Sequence, residues 1–317
     1  MSNFSNDHGR GYEYICLHTL RDEIAKLRPV EIVFNSSYTA AERSWNTLDH
    51  ETQVLYKISS ESTIQTLFSL EPNIVEKDDQ ALKLFIQQDG KGIEGDVRDI
   101  IIERENIRWE IGLSVKHNHA AVKHSRLSGV NDFGEKWYGV KCSSQYWEEI
   151  TPIFGFLREE KKKRTRFEDI PSKAERVYVP ILNAFKSEVE RQVKADQTIP
   201  KKLVEYLLSK YDFYKVISID IKRVTVIQSF NMYGTLNLPS KTEKPTITIP
   251  LISLPTEILH FDFKQDCQTT LLMCMDNGWS FSFRIHNAST IAEPSLKFDV
   301  QIIGMPVDVN LKFLCKW

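Results

Sequence analysis

The run at residues 107–115 restricts this chain more than any other stretch. Ile107, Trp109, Ile111, Leu113 and Val115 are apolar at every second position. Side chains on a β-strand alternate between faces, so the run reads as a half-buried strand. Trp109, Ile111, Leu113 and Val115 share its apolar face, and Glu110, Gly112, Ser114 and Lys116 share the other. Upstream, residues 98–103 form a short run rich in β-branched residues, a second strand. Arg104, Glu105 and Asn106 are the polar turn expected to join the two. Folding that hairpin brings Asp96 and Asp99 alongside Ser114 and Lys116. Carboxylates and a lysine sharing one end of a hairpin suit Mg²⁺ and a phosphate, because Mg²⁺ is held by one or two carboxylates, substrate phosphate and water. A neighbouring lysine can orient and deprotonate the attacking water while the metal stabilises charge on the reacting oxygens. The alternative is an edge hairpin with solvated charges and a surface salt bridge, since charged residues usually face water.

The rest of the sequence supports a globular protein. Its 317 residues suffice for one large core or two smaller ones, and 41% hydrophobic with 26% charged residues is an ordinary globular balance. Apolar runs fall far short of the ~20 residues that cross a bilayer, and no basic start leads into an apolar block. Cys16, Cys142, Cys267, Cys274 and Cys315 are scattered and odd in number. They point away from a disulfide framework or structural zinc and toward a reducing cytoplasm. The formal charge of −2 requires any nucleic-acid surface to be a local basic patch.

In chain order, residues 1–10 are polar and expected to be loose, and residues 11–27 carry helical spacing with Glu13 near the start. There Glu13 serves either as a favourable charge at a helix amino terminus or in a role near metal. Residues 39–69 read as helical with Thr39 as cap, and residues 81–88 are apolar and periodic. Residues 89–92 form a turn feeding the hairpin. After Lys116 come His117, Asn118 and His119, then Lys123, His124 and Arg126. Three adjacent side chains on one strand end cannot converge on a metal, and no third zinc ligand is suitably spaced. A helix from about residue 120 is expected to turn Lys123 and Arg126 toward DNA phosphates, three positions apart on one surface, or toward solvent. Trp137, Tyr138, Tyr146 and Trp147 are expected in loops. The run at 158–166, with Lys161, Lys162, Lys163, Arg164 and Arg166, is the densest charge and a candidate backbone contact.

Two helices are expected at residues 180–193 and 201–211, the second opened by Pro200. Strands follow at 213–227, 246–254, 258–263, 270–275, 279–285 and 296–303, with Asp276-Asn277-Gly278 a hairpin turn. This β-rich half is the candidate base reader. Lys222, Arg223, Asn231, Arg284 and Asn287 are of suitable type, because Arg or Lys can pair with guanine in the major groove.

Asp99, the apolar run after it and the strand ending in Lys116 resemble the core of the PD-(D/E)XK nuclease superfamily. More narrowly, GDVRDIII, WEIGLSVKHNHAAVKHSRLS and the amino-terminal GRGYEY resemble the HaeIII family of type II restriction endonucleases, over essentially the whole chain. The resemblance implies an α+β fold with a PD-(D/E)XK-like core, a mixed central sheet flanked by helices; with Pro171 and the mixed charges nearby as the boundary, that core takes residues 1–170. A helix pair and a β-rich DNA-recognition region would occupy residues 171–317. It also implies Mg²⁺-dependent double-strand cleavage of GGCC between the central G and C, leaving blunt ends with 5′-phosphates. A cognate methyltransferase would act on the same site, and the enzyme would work as a homodimer or a monomer. Ser114 departs from the superfamily pattern, which has an acid two residues before the lysine. A hydroxyl is a poor Mg²⁺ ligand, so the second acid is sought at Glu13, where some nucleases of this superfamily carry a metal-side glutamate, or at Glu110 or Asp96. The metal set is then Asp99, Glu13, Glu110 and Asp96. His117, Asn118, His119, Lys123, Arg126, Lys161, Lys163, Arg164 and Arg284 are the candidate DNA contacts. Ser114 also keeps a second function open, a non-catalytic DNA-binding protein with a degenerate nuclease core.

Overall fold

The hairpin forms. In a computed structural model describing residues 2–88, 95–118, 123–307 and 311–317, Ile100–Arg104 (β3) pairs antiparallel with Trp109–His117 (β4). The turn differs from the expectation. A 3₁₀ turn at Glu105–Ile107 and left-handed Arg108 (φ 51°) close it, and Arg104 is the last residue of β3. Arg104 is buried against Glu76 and Asp78.

β3 and β4 sit within a seven-stranded mixed sheet. Its other strands are Val30–Ile32 (β1), Leu82–Ile86 (β2), Phe213–Ile219 (β6), Val224–Phe230 (β7) and Lys312–Lys316 (β12), in the order β1-β2-β3-β4-β6-β7-β12. β1–β2 and β4–β6 are parallel pairs and the rest antiparallel. The apolar face of β4 meets a core shared with Ser2–Ile24 (α1), Ser36–Thr47 (α2), His50–Glu61 (α3) and Ile64–Leu70 (α4). Residues 2–10 belong to α1 and are not loose. Asp7 accepts a hydrogen bond from Ser44 Oγ (3.1 Å), and His8 Nδ1 lies 2.7 Å from Tyr56 Oη. The cap of α2 is Asn35, whose side chain accepts from Tyr38 N, and not Thr39. The turn expected at 89–92 lies outside the described residues.

One buried carboxylate ties this sheet to the helices. Tyr214 Oη on β6 donates to Glu71 Oε1 (2.6 Å), as does Asn237 N (2.5 Å). Burial pushes Glu71 up to about 7, more than those two bonds pull it down. Folded Glu71 therefore keeps a proton that the unfolded chain loses near the usual glutamate value. Stability should fall as pH rises between those two values, and the loss is complete above pH 7. Glu71→Gln should recover on the order of 3 kcal/mol at pH 8 and nothing at pH 4. Thermal unfolding at the two pH values measures this, and equal gains at both would rule it out.

The chain divides into two compact units. One comprises 1–120, 209–252 and 307–317, and the other 121–208 and 253–306. A boundary at residue 170 falls inside the second, because β6, β7 and β12 return to the first sheet. The second unit carries a five-stranded antiparallel sheet of Lys123–Ser128 (β5), Ile258–Phe263 (β8), Thr270–Met275 (β9), Ser280–His286 (β10) and Ser295–Gly304 (β11), ordered β5-β11-β10-β9-β8. The turn between β9 and β10 is Asp276–Gly278 with Asn277 and Gly278 at positive φ, as its residues require.

Three local expectations fail here. The segment after residue 122 is strand β5, not a helix. Ser125 and Leu127 are buried while Arg126 is exposed, and all three pair with β11. Trp137, Tyr138, Tyr146 and Trp147 lie in helices Phe133–Tyr138 (α6) and Ser144–Lys162 (α7), capped by Asp132 and Ser143. Residues 246–254, in the first unit but for the last two, form no strand. Pro245, Pro250 and Pro255 interrupt the ladder, and asparagine side chains take the backbone bonds instead. Asn237 Oδ1 accepts from Ile249 N (2.8 Å), and Asn237 Nδ2 donates to Ile247 O (3.0 Å). The expected helix pair is present as Val179–Ala195 (α8) and Ile199–Leu207 (α9), the latter with Pro200 in its first turn.

Candidate active site

Asp99 stands immediately before β3 with its backbone held on both sides: its N–H donates to Leu113 O (2.7 Å), and its C=O accepts from Gln87 N (2.8 Å). The side chain then reaches the end of β4. Asp99 Oδ2 accepts from Val115 N (2.6 Å), Lys116 Nζ (2.9 Å) and Ser114 Oγ (3.3 Å). The expected meeting of Asp99 and Lys116 is present. Their side chains remain 21% and 30% exposed, enough for solvent or substrate to reach them. Burial alone would push the Lys116 ammonium down, but Asp99 and then Glu13 hold it above the usual lysine value. Lys116 is therefore a cation at neutral pH, and Glu13, on α1, lies close enough to act on it.

Asp96 and Glu110 are elsewhere. Arg98 takes both: its Nε and Nη2 donate to Asp96 at 2.8 Å each, and its Nη1 donates to Glu110 at 2.8 Å. Gly112 permits this, because a Cβ there would fall 2.0 Å from Arg98 Cδ. Tyr211 lies against the guanidinium, its ring centre 4.2 Å away. The two carboxylates serve as partners of Arg98, and the charge that acts on Lys116 beside Asp99 is that of Glu13.

His117 and Asn118 also have structural partners. His117 Nε2 lies 2.7 Å from Asp220 Oδ2, and its Nδ1 lies 2.9 Å from Tyr56 Oη. Asn118 Nδ2 donates to Asp220 Oδ2 (3.0 Å), and its Oδ1 accepts from Asp220 N (3.1 Å). Both fasten the end of β4 to the turn after β6. His119 and the side chain of Lys123 lie outside the described residues. Arg126 on β5 and Arg284 on β10 are exposed. Lys161, Lys163 and Arg164 are exposed at the end of α7, where Lys163 pairs with Glu160 (2.8 Å) and Lys161 with Glu293 (3.6 Å). Among the other candidate base readers, Asn231 is buried and accepts from Leu236 N, and Asn287 holds Ser289 and Ile291 carbonyls in a turn.

One residue of this neighbourhood escaped the sequence reading. Lys215 on β6 is the register partner of Ser114 and is only 7% exposed. Burial first, and then the charge of Lys116, push it down to about 8 against the opposing pull of Asp99. Its signal in the sequence is a single lysine inside an otherwise apolar strand, Phe213-Tyr214-Lys215-Val216-Ile217.

The donors suit a hard cation. Among the described residues no group of three or more His, Cys, Asp or Glu gathers to hold a metal. All three bonds to Asp99 arrive at Oδ2, and a second carboxylate, Glu13, acts on the same lysine. That fits Mg²⁺, which needs one or two carboxylates and takes its remaining ligands from phosphate and water.

The HaeIII restriction endonuclease family model matches residues 9–306. The type II restriction enzyme HaeIII of Haemophilus aegyptius is 49% identical over 310 residues, covering 98% of this chain and 97% of that one. No solved structure matches. No helix among the described residues is long and apolar enough to cross a membrane. With the match spanning both units and including Asp99, Ser114 and Lys116, the chain belongs to the HaeIII restriction endonuclease family and is a type II restriction enzyme.

Proposed function

We propose that this enzyme cuts double-stranded DNA at GGCC, between the central G and C, leaving blunt ends with 5′-phosphates, and that it does so with Mg²⁺ at Asp99. The observation that carries this reading is the 2.9 Å contact of the Asp99 carboxylate with the Lys116 ammonium at the end of a β-hairpin. The fold read this way is a PD-(D/E)XK-like core, with the five-stranded sheet as part of the DNA-recognition region. Arg126 and Arg284, exposed on two of its strands, are candidates there with Lys161, Lys163 and Arg164. The partners are duplex DNA and, through the shared site alone, a cognate methyltransferase. A reducing cytoplasm accords with the cysteines being free.

Asp99, with Glu13 as the second carboxylate, would hold the metal. Bound there, Mg²⁺ would supply Lewis-acid stabilisation of charge on the reacting phosphate oxygens. Lys116, kept protonated by those same carboxylates, donates hydrogen bonds: it orients the attacking water and meets a non-bridging phosphate oxygen. The water oxygen bonds to phosphorus in line with the bond that breaks, P–O3′, and gives up a proton to the surrounding solvent. The departing 3′ oxygen takes up a proton, leaving a 3′-hydroxyl, and the phosphate stays on the 5′ end. Ser114 donates to Asp99 Oδ2 and so helps fix the carboxylate's direction.

Incubating the protein with plasmid DNA and Mg²⁺ and sequencing the ends tests this. Blunt 5′-phosphorylated ends at every GGCC are expected. Plasmid bound but uncut would favour a DNA-binding protein with a degenerate core, and cuts at another sequence would refute the target.

A further inference from the structure

We propose that Lys215 is a positioning residue of the nuclease site: its buried side chain, one strand over from Ser114, holds positive charge behind the place where Asp99 and Lys116 meet the scissile phosphate. The inference rests on the active-site reading above. Three observations support it. First, β4 and β6 run parallel with Ser114 opposite Lys215 and Lys116 two residues on, so Lys215 neighbours the stretch of β4 that contacts Asp99. Second, lysine is rarely buried, and one inside the sheet costs stability that a leucine or methionine would not. Its chain neighbours Tyr214 and Val216 are buried members of the apolar core. Third, the charges that act on Lys215 are those of Lys116 and Asp99 themselves.

The departure at Ser114 fits the same picture. An acid at that position would face Lys215 across the two strands and would draw its charge into a cross-strand ion pair. Serine puts a hydroxyl there instead. Phosphodiester hydrolysis accumulates negative charge on the phosphate oxygens, and positive charge fixed in place beforehand stabilises it without reorganising. Being buried, Lys215 acts through Asp99 and Lys116 and touches no DNA.

The test compares Lys215→Met, Lys215→Arg and the parent in single-turnover cleavage of duplex GGCC DNA with Mg²⁺. DNA affinity in Ca²⁺ and thermal unfolding accompany it. A charge role and a packing role predict opposite orders: methionine keeps the volume and loses the charge, while arginine does the reverse. Lys215→Met is expected to fold with an unchanged or higher melting temperature, to bind DNA as the parent does, and to cut about 100-fold more slowly, the scale of losing one preorganised charge contact. Lys215→Arg should recover about tenfold of that loss. A folded Lys215→Met cutting within about threefold of the parent would overturn the proposal. So would a folded Lys215→Arg no faster than Lys215→Met. Should arginine fail to fold, the methionine variant decides alone. Asp99→Ala run in parallel separates the two readings: if it still cuts, the site assignment itself has failed, and if it is inert while Lys215→Met is not, only Lys215 is misassigned.

Discussion

Asp99→Ala and Lys116→Ala should each lower single-turnover cleavage by at least about 1000-fold while leaving DNA binding in Ca²⁺ intact, the pattern of a group used in the transition state. The large effect follows from how many functions converge on one oxygen. Asp99 Oδ2 accepts from Val115 N, Lys116 Nζ and Ser114 Oγ, so alanine removes the carboxylate proposed to hold the metal and also the acceptor that directs the lysine. Asp99→Asn keeps an acceptor oxygen and the shape, and should be nearly as inactive, because the missing charge is what would hold the cation. Glu110→Ala is the internal control. Its carboxylate is 43% exposed and bound by Arg98, so cleavage should stay within about threefold of the parent. An active Asp99→Ala enzyme, or a Glu110→Ala enzyme as inert as Asp99→Ala, would show that the metal is held elsewhere.

The second large effect concerns stability. Arg104→Met should cost about 3 to 5 kcal/mol, the usual penalty for leaving a buried carboxylate, here Glu76, without its cation. Arg104, 2% exposed, donates through Nη1 to Glu76 Oε2 and through Nη2 to Asp78 Oδ2, both at 2.7 Å, and its Nη1 also meets Asn73 O at 3.3 Å. Arg28 is a weak understudy: it binds the Glu76 and Gln80 carbonyls, and its guanidinium is 3.9 Å from Asp78. Glu76 also accepts from Lys241 N (2.7 Å). One guanidinium thus joins the end of β3 to the turn after Pro72–Val75 (α5), whose Glu76 in turn holds the segment near residue 241. Denaturant unfolding measures the loss, and cleavage by the variant at a temperature where it remains folded should match the parent. A loss below about 1 kcal/mol would mean that the cluster contributes no more than solvated pairs do.

The candidate active-site hairpin was legible because its information is local. Alternation along residues 107–116 assigns each side chain to a face, and antiparallel pairing then brings the start of one strand to the end of the next. Asp99 and Lys116 therefore meet whatever surrounds them. The strands from 258 to 303 and the turn at Asp276–Gly278 were legible for the same reason. The sequence as a whole also carried the family.

Tertiary structure decided the rest. Parallel pairing of β4 with β6 joins residues about a hundred positions apart, and no periodicity records it, so Lys215 beside Ser114 was invisible. Arg104 read as a turn residue and Arg98 as the start of a strand; burial placed the first on Glu76 and Asp78, and the bare Gly112 let the second reach Asp96 and Glu110. Asn231 and His117 looked like DNA-binding types, and became staples once the backbone around them needed partners. Segment 123–128 read as helix because Lys123 and Arg126 are three apart. Pairing with β11 made it a strand, since a short polar stretch takes the conformation that satisfies its backbone in the sheet it joins.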